Sequence, residues 1–133
     1  MIRSVLVFAV TLGLSAPGLA AADPCRGTTT PEMNACAANE LKTSDAALNT
    51  TYQTLKGRIG PKAQAGLRAA QEAWLTFRDR SCALETMGTE GGSVQRLVEL
   101  GCLKTITDDR TKALTRYLTC EEGDLSCVGR FGE

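Results

Sequence analysis

Leu67, Ala70, Trp74, Phe77, Ser81 and Leu84 follow one another at steps of 3, 4, 3, 4 and 3 residues. Only a helix carries residues at that spacing to one side, and such a seam is buried by packing against neighbouring helices at shallow angles. Two flanking stretches repeat the pattern. Met33, Ala37, Leu41, Ser44, Leu48, Tyr52, Leu55 and Ile59 precede it; Leu97, Leu100, Leu103, Ile106, Arg110, Ala113 and Tyr117 follow it. Thr30-Pro31 reads as an N-cap followed by proline at the first helical position. Gly60-Pro61 closes the first helix and opens the second. Met87 to Gly92 is a loop, and Ser93 is the expected N-cap of the third helix. Gly101 weakens that helix by roughly 1 kcal/mol relative to alanine. The spacing predicts an all-α fold: an antiparallel three-helix bundle with helices near 31–59, 61–87 and 94–119.

The first 22 residues are set apart from this pattern. Arg3 precedes a short apolar run, Val5 to Leu14; Pro17 and Gly18 break it, and Ala20-Ala21-Ala22 offers small residues for cleavage. This is the layout of a secretory signal peptide, and the run is too short for a membrane anchor. Asp23-Pro24 before Cys25 lacks the small residues of a lipid-attachment site. The expected product is therefore unanchored and periplasmic or secreted, with a helical domain at 23–119 and a tail at 120–133. Its loss of Arg3 leaves 14 basic against 15 acidic residues. A balance so near zero argues against a nucleic-acid partner.

All six cysteines, Cys25, Cys36, Cys82, Cys102, Cys120 and Cys127, lie behind the signal segment. An even set in an oxidising compartment reads as disulfides. In the antiparallel bundle Cys25, Cys36, Cys82 and Cys102 share one end. Cys120 lies at the other, about 25 Å from the level of Cys102 at 1.5 Å per residue, which leaves Cys127 as its partner. Cys25–Cys36 with Cys82–Cys102 are the local choices for the rest; Cys36–Cys82 with Cys25–Cys102 is the rival set.

No histidine is present. A histidine base, a Ser-His or Cys-His pair and the usual histidine-containing zinc sites are thereby excluded. No cofactor or metal is expected. Glu40, Asp45, Asp79, Arg78 and Arg110 resemble an acid–base cluster on paper. Carboxylates among arginines have lowered pKa values, however, whereas a glycosidase needs one raised. The expected role is structural: a polar cluster of Glu40, Asp45, Asn49, Gln71, Arg78, Asp79 and Arg110 that holds the helices in register. Counting from the helix starts puts Arg78 level with Glu40, and Arg110 level with Asp45 to Asn49 and with Gln71. Arg110 sits on a seam, so it should be buried and partnered. Trp74, on its own seam, is expected in the core.

Several of these residues carry a resemblance. Thr30-Pro31-Glu32-Met33-Asn34 and Cys36-Ala37 come first, then Glu40-Leu41, Asp45, Leu48-Asn49 and Tyr52. Ala70-Gln71-x-Ala73-Trp74-x-x-Phe77-Arg78-Asp79-x-x-Cys82 follows, with Gly91-Gly92-Ser93, Cys102-Leu103, Thr107 and Arg110 behind it. From about Cys25 to Leu118 the chain resembles the LprI-type lysozyme inhibitor family. The resemblance implies a non-enzymatic secreted helical domain whose partner is a lysozyme-type glycoside hydrolase. Cys120 and Cys127 lie beyond the shared part. Gly88, Glu90, Gly91, Gly92 and Ser93 form the longest flexible stretch between helices, on a base stiffened by nearby cysteines. They are the expected contact with that partner. The alternative is a non-catalytic envelope module, or an immunity-type protein that neutralises a toxin. An inhibitor requires an exposed docking patch of about 800 Å²; a structural module does not.

Overall fold

A computed structural model describes residues 24–121 and 123–128. The expected signal segment, 1–22, lies outside the described residues. A short turn at Pro24–Arg26 leads to three helices, α1 (Thr30–Lys56), α2 (Pro61–Thr86) and α3 (Gln95–Leu118), and no strand occurs among the described residues. Gln64 near the start of α2 donates to the carbonyls of Lys56 and Ile59, at 3.0 and 2.9 Å. Cys82, late in α2, bonds to Cys102, early in α3. The two ties make α2 antiparallel to both neighbours, as the seams predict. The architecture is lopsided, because α3 packs along the length of α1 and less extensively along α2, while α1 and α2 approach each other least.

Helix boundaries follow from local chemistry. The N-cap of α1 is Thr29, one residue before the expected Thr30. The Glu32 carboxylate accepts from the Thr29 N–H at 3.0 Å and from its hydroxyl at 2.6 Å. These bonds hold the Glu32 carboxyl below its ordinary pKa. A Cβ on Gly27 would overlap the Glu32 side chain, so the lead-in needs glycine there. Helix α1 stops at Lys56 rather than near 59, where Gly57 and Arg58 turn back on the carbonyls of Gln53 and Leu55. Ile59 then drops into the core. Helix α3 is capped by Val94, not Ser93. The Gln95 side chain accepts from the Gly91 N–H at 2.8 Å, which ties the first residue of the helix to the loop and leaves Ser93 outside the cap.

The core is divided along the bundle axis. Leu48, Leu55, Ile59, Leu67 and Leu114 form one cluster where α1 ends and α2 begins. Val128 of the tail packs onto it, returned there by the Cys120–Cys127 bond. The opposite end buries Cys82, Leu100, Cys102 and Thr86. Cys25–Cys36 closes that end outside α1. All three local pairings are present, and the rival set is excluded. At mid-height Ser44 is buried. Asp108 receives hydrogen bonds from Lys104 and the Ser44 hydroxyl, which pull its pKa down. The Lys104 contact is 2.7 Å, and it raises the Lys104 pKa.

The second seam is only half buried. Leu67 and Trp74 face inward, but Phe77 is 60% and Leu84 is 69% exposed. Gln71, Arg78 and Cys82 occupy the inward face in their place. Because the helix turns 100° per residue, a seven-residue seam slowly rotates away from a partner that is not supercoiled with it. The Cys82–Cys102 bond fixes which side stays in.

Leu114→Ala, at a site with 0% exposure, is expected to cost about 2–5 kcal/mol in urea denaturation. Phe77→Ala should cost under about 1 kcal/mol, because little area is returned to water. The Asp108 contribution is pH-dependent. Its carboxyl is depressed in the folded state, so the stabilisation is complete above the unfolded-state pKa and is lost as pH falls through the folded one. Thermal melts from about pH 7 to about pH 2 should show wild type above Asp108→Asn at neutrality and the gap closing on acidification.

Candidate functional site

Two features stand out on the surface, and different physics builds each. The first is a polar junction at mid-height with a groove beside it. Arg78 of α2 donates Nε to Asp79 at 3.1 Å. Its Nη1 reaches Asp45 of α1 and the hydroxyl of Thr107 of α3, both at 3.4 Å. Thr107 is fully buried, so this hydroxyl needs the bond. Arg110 of α3 donates Nε to the side-chain oxygen Oε1 of Gln71 at 3.1 Å. The two guanidinium carbons lie 5.2 and 5.9 Å from the centre of the Trp74 ring, within cation–π range. The Trp74 ring thus meets arginines of two helices. Burial lowers the Arg110 pKa, and Tyr117 pulls the other way; an arginine remains charged at any physiological pH.

Several sequence expectations need correction here. Arg78 meets Asp45, not the level of Glu40. Glu40 lies one end away, beside the Cys25 and Cys36 sulfurs, whose mutual bond removes them as metal ligands. Levels counted from helix starts fail because α2 takes its height from α3 and from the Gly57–Gly60 connection. The offset from residue 40 to residue 45 is about 7.5 Å along a helix. Arg110 meets Gln71 and is half-buried rather than buried. Asn49 makes no hydrogen bond through its side chain among the described residues and lines the groove instead. Trp74 as the centre of the junction, and Thr107 as an acceptor, went unforeseen. The signal for Trp74 was its spacing from Gln71 and Arg78 on one helical face.

The groove follows from the lopsided packing. Where α1 and α2 diverge, a cleft of about 460 Å³ opens between them. Leu48, Tyr52, Trp74 and Leu75 supply its apolar and aromatic part. Asn49, Gln53, Arg68 and Glu72 supply its polar rim, beside Asp45 and Arg78.

The second feature is the disulfide end. Met87–Thr89 forms one helical turn, and Gly91 has φ 72°, a conformation that suits glycine. Far from being loose, the loop is tied internally. Thr89 Oγ1 donates to the Thr86 carbonyl at 2.9 Å, Gly92 N–H to the Thr89 carbonyl at 2.9 Å, and Gln95 N–H to the Gly92 carbonyl at 3.2 Å. Gly88, Glu90, Gly91, Gly92 and Ser93 are all exposed. Leu84, Met87 (66% exposed) and Val94 expose apolar surface around them.

The fold and its surface define a class: a small helical domain stapled by disulfides, with one rigid apolar-fringed loop end and one mixed groove. Residues 22–114 match the lysozyme inhibitor LprI family. The chain belongs to that family. It is 33% identical over 104 residues to an uncharacterized protein of Rhizobium meliloti (strain 1021), covering 68% of this chain and 75% of that one. No solved structure matches the chain. No helix among the described residues is long and apolar enough to cross a membrane.

The junction yields a stability test. Arg110→Ala removes one hydrogen bond and one ring contact at a half-buried position, so a loss of about 1–2 kcal/mol is expected. Urea denaturation of Arg110→Ala, Gln71→Ala and the double variant should give a coupling energy clearly above zero. Additive losses would mean that the contact does not hold the helices.

Proposed function

We propose that the exported chain inhibits a lysozyme-type muramidase by docking its disulfide end against the enzyme and obstructing the cleft, and that it performs no catalysis. Membership of the lysozyme inhibitor LprI family carries this reading. Leader removal near residue 22 and a periplasmic or extracellular site of action are part of the proposal.

The shape of the disulfide end supports the choice of surface. Exposed Leu84, Met87 and Val94 fringe the Gly88–Ser93 loop. Exposed apolar groups beside a polar rim are the anatomy of a docking patch. The loop's own hydrogen bonds and the Cys82–Cys102 bond beneath it reduce the ordering cost on association. Hydrogen bonds hold the Glu32 and Asp108 carboxyls below their ordinary pKa, whereas a glycosidase acid is shifted up.

The test is a turbidity assay of cell-wall lysis by lysozyme with the purified, oxidised protein. Inhibition is expected at micromolar concentration. Glu90→Lys should change the inhibition constant by about tenfold, while Glu121→Lys, at the opposite end, should leave it within about twofold. Equal effects from the two, or no inhibition by wild type, would falsify the docking assignment.

A further inference from the structure

The α1–α2 groove shares no residue with the disulfide end, and the docking proposed there for a muramidase makes no use of it. We propose that it is a binding site for a short neutral oligosaccharide that carries acetamido groups.

Charge narrows the ligand first. Arg68 and Arg78 are matched by Asp45 and Glu72. Such a lining creates no net field to attract a phosphate or a cation, so an ionic ligand has no advantage over a neutral one. The groove is also too polar for a purely apolar ligand: binding one would strip water from Asn49, Gln53 and Arg68 without replacing it. What remains is a neutral molecule with both hydrogen-bonding and C–H surfaces.

The side chains match that description. Tyr52 is an amphipathic aromatic, able to cover the C–H face of a sugar ring while its hydroxyl stays wet, and Trp74, whose ring already carries two guanidiniums, lines the groove beside it. Asn49 and Gln53 pair a donor with an acceptor on one plane, and Arg68 offers a fork of donors. Neighbouring hydroxyls on a sugar ring present the complementary spacing. None of the side chains of Asn49, Gln53, Arg68 or Glu72 is engaged in a hydrogen bond or ion pair among the described residues. An acetamido group adds a methyl for Leu48 and Leu75 and an N–H for the carboxylates. Trp74 is already held by Arg78 and Arg110, so binding need not immobilise it. The volume, about 460 Å³, lies within the roughly 300–1,000 Å³ of small-molecule sites.

Trp74 is the chain's single tryptophan, so its fluorescence reads the groove directly. The purified, oxidised protein is titrated with tri-N-acetylchitotriose and, in parallel, with cellotriose. Chitotriose is expected to give a saturable change in emission with a Kd of about 0.1–5 mM, and cellotriose to bind more weakly. Arg68→Ala and Asn49→Ala should each weaken chitotriose binding about fivefold or more. Glu121→Lys should bind as wild type does. Circular dichroism checks that the variants fold; should either not, Gln53→Ala replaces it with the same expectation. No saturable response up to about 20 mM, or wild-type affinity in the rim variants, overturns the site. Equal affinity for the two sugars overturns the acetamido assignment. No lysozyme is present in the experiment, so its outcome is independent of the docking reading.

Discussion

Helix α2 turns few side chains fully inward: Leu67, Cys82 and Thr86. Buried area of that size holds a helix weakly, since the useful contribution is about 25 cal/mol per Å² of apolar surface. The covalent link from Cys82 to Cys102 therefore decides where α2 lies. Closing a loop of 20 residues removes about 3 kcal/mol of entropy from the unfolded chain. It also fixes the rotation of α2 on α3, and much else depends on that rotation. It turns Phe77 and Leu84 outward, brings Arg78 over Trp74 and Thr107, and leaves the cleft beside α1 open.

The polar junction is a specificity device more than a source of stability. Arg78 has a 17% exposed side chain, but its Asp45 partner is 45% exposed, and an ion pair so wet contributes little. What the junction supplies is selection among near-equivalent helix heights. An alanine-rich α2 slides easily past its neighbours, because alanine makes shallow ridges. A planar guanidinium that must meet both a carboxylate and a buried hydroxyl tolerates no slide.

The helices and their order were legible because the seams are long and the breakers, Gly60-Pro61 and the glycine-rich loop, are strong. The cysteine pairing was legible because helix direction places partners at a common end. The inward face of α2 was not. Periodicity counts polar residues as outward, whereas Gln71 and Arg78 turn inward once they have partners. The height match between α1 and α2 was hidden for a related reason. Helices that barely touch do not set each other's register, so Asp45 could not be chosen over Glu40 by counting. The groove belongs to the same blind spot, since it exists only where two predicted neighbours fail to pack. The glycines at 88, 91 and 92 suggested looseness, but the hydrogen bonds from Thr89 and Gln95 that stiffen the loop come from side chains and backbone whose geometry no spacing rule records.

The disulfides join Cys25 to Cys36, Cys82 to Cys102 and Cys120 to Cys127. Each bridge thus joins two cysteines that are consecutive along the chain, and no bridge encloses or crosses another. Under the proposed export, which threads the chain N-terminus first into an oxidising space, the order of arrival is the order of pairing. The first thiol to emerge meets its native partner before any competitor has appeared, and each bridge is complete before the next begins. Bridges between consecutive cysteines leave little for reshuffling to correct, a process that takes seconds to hours when wrong pairs form first.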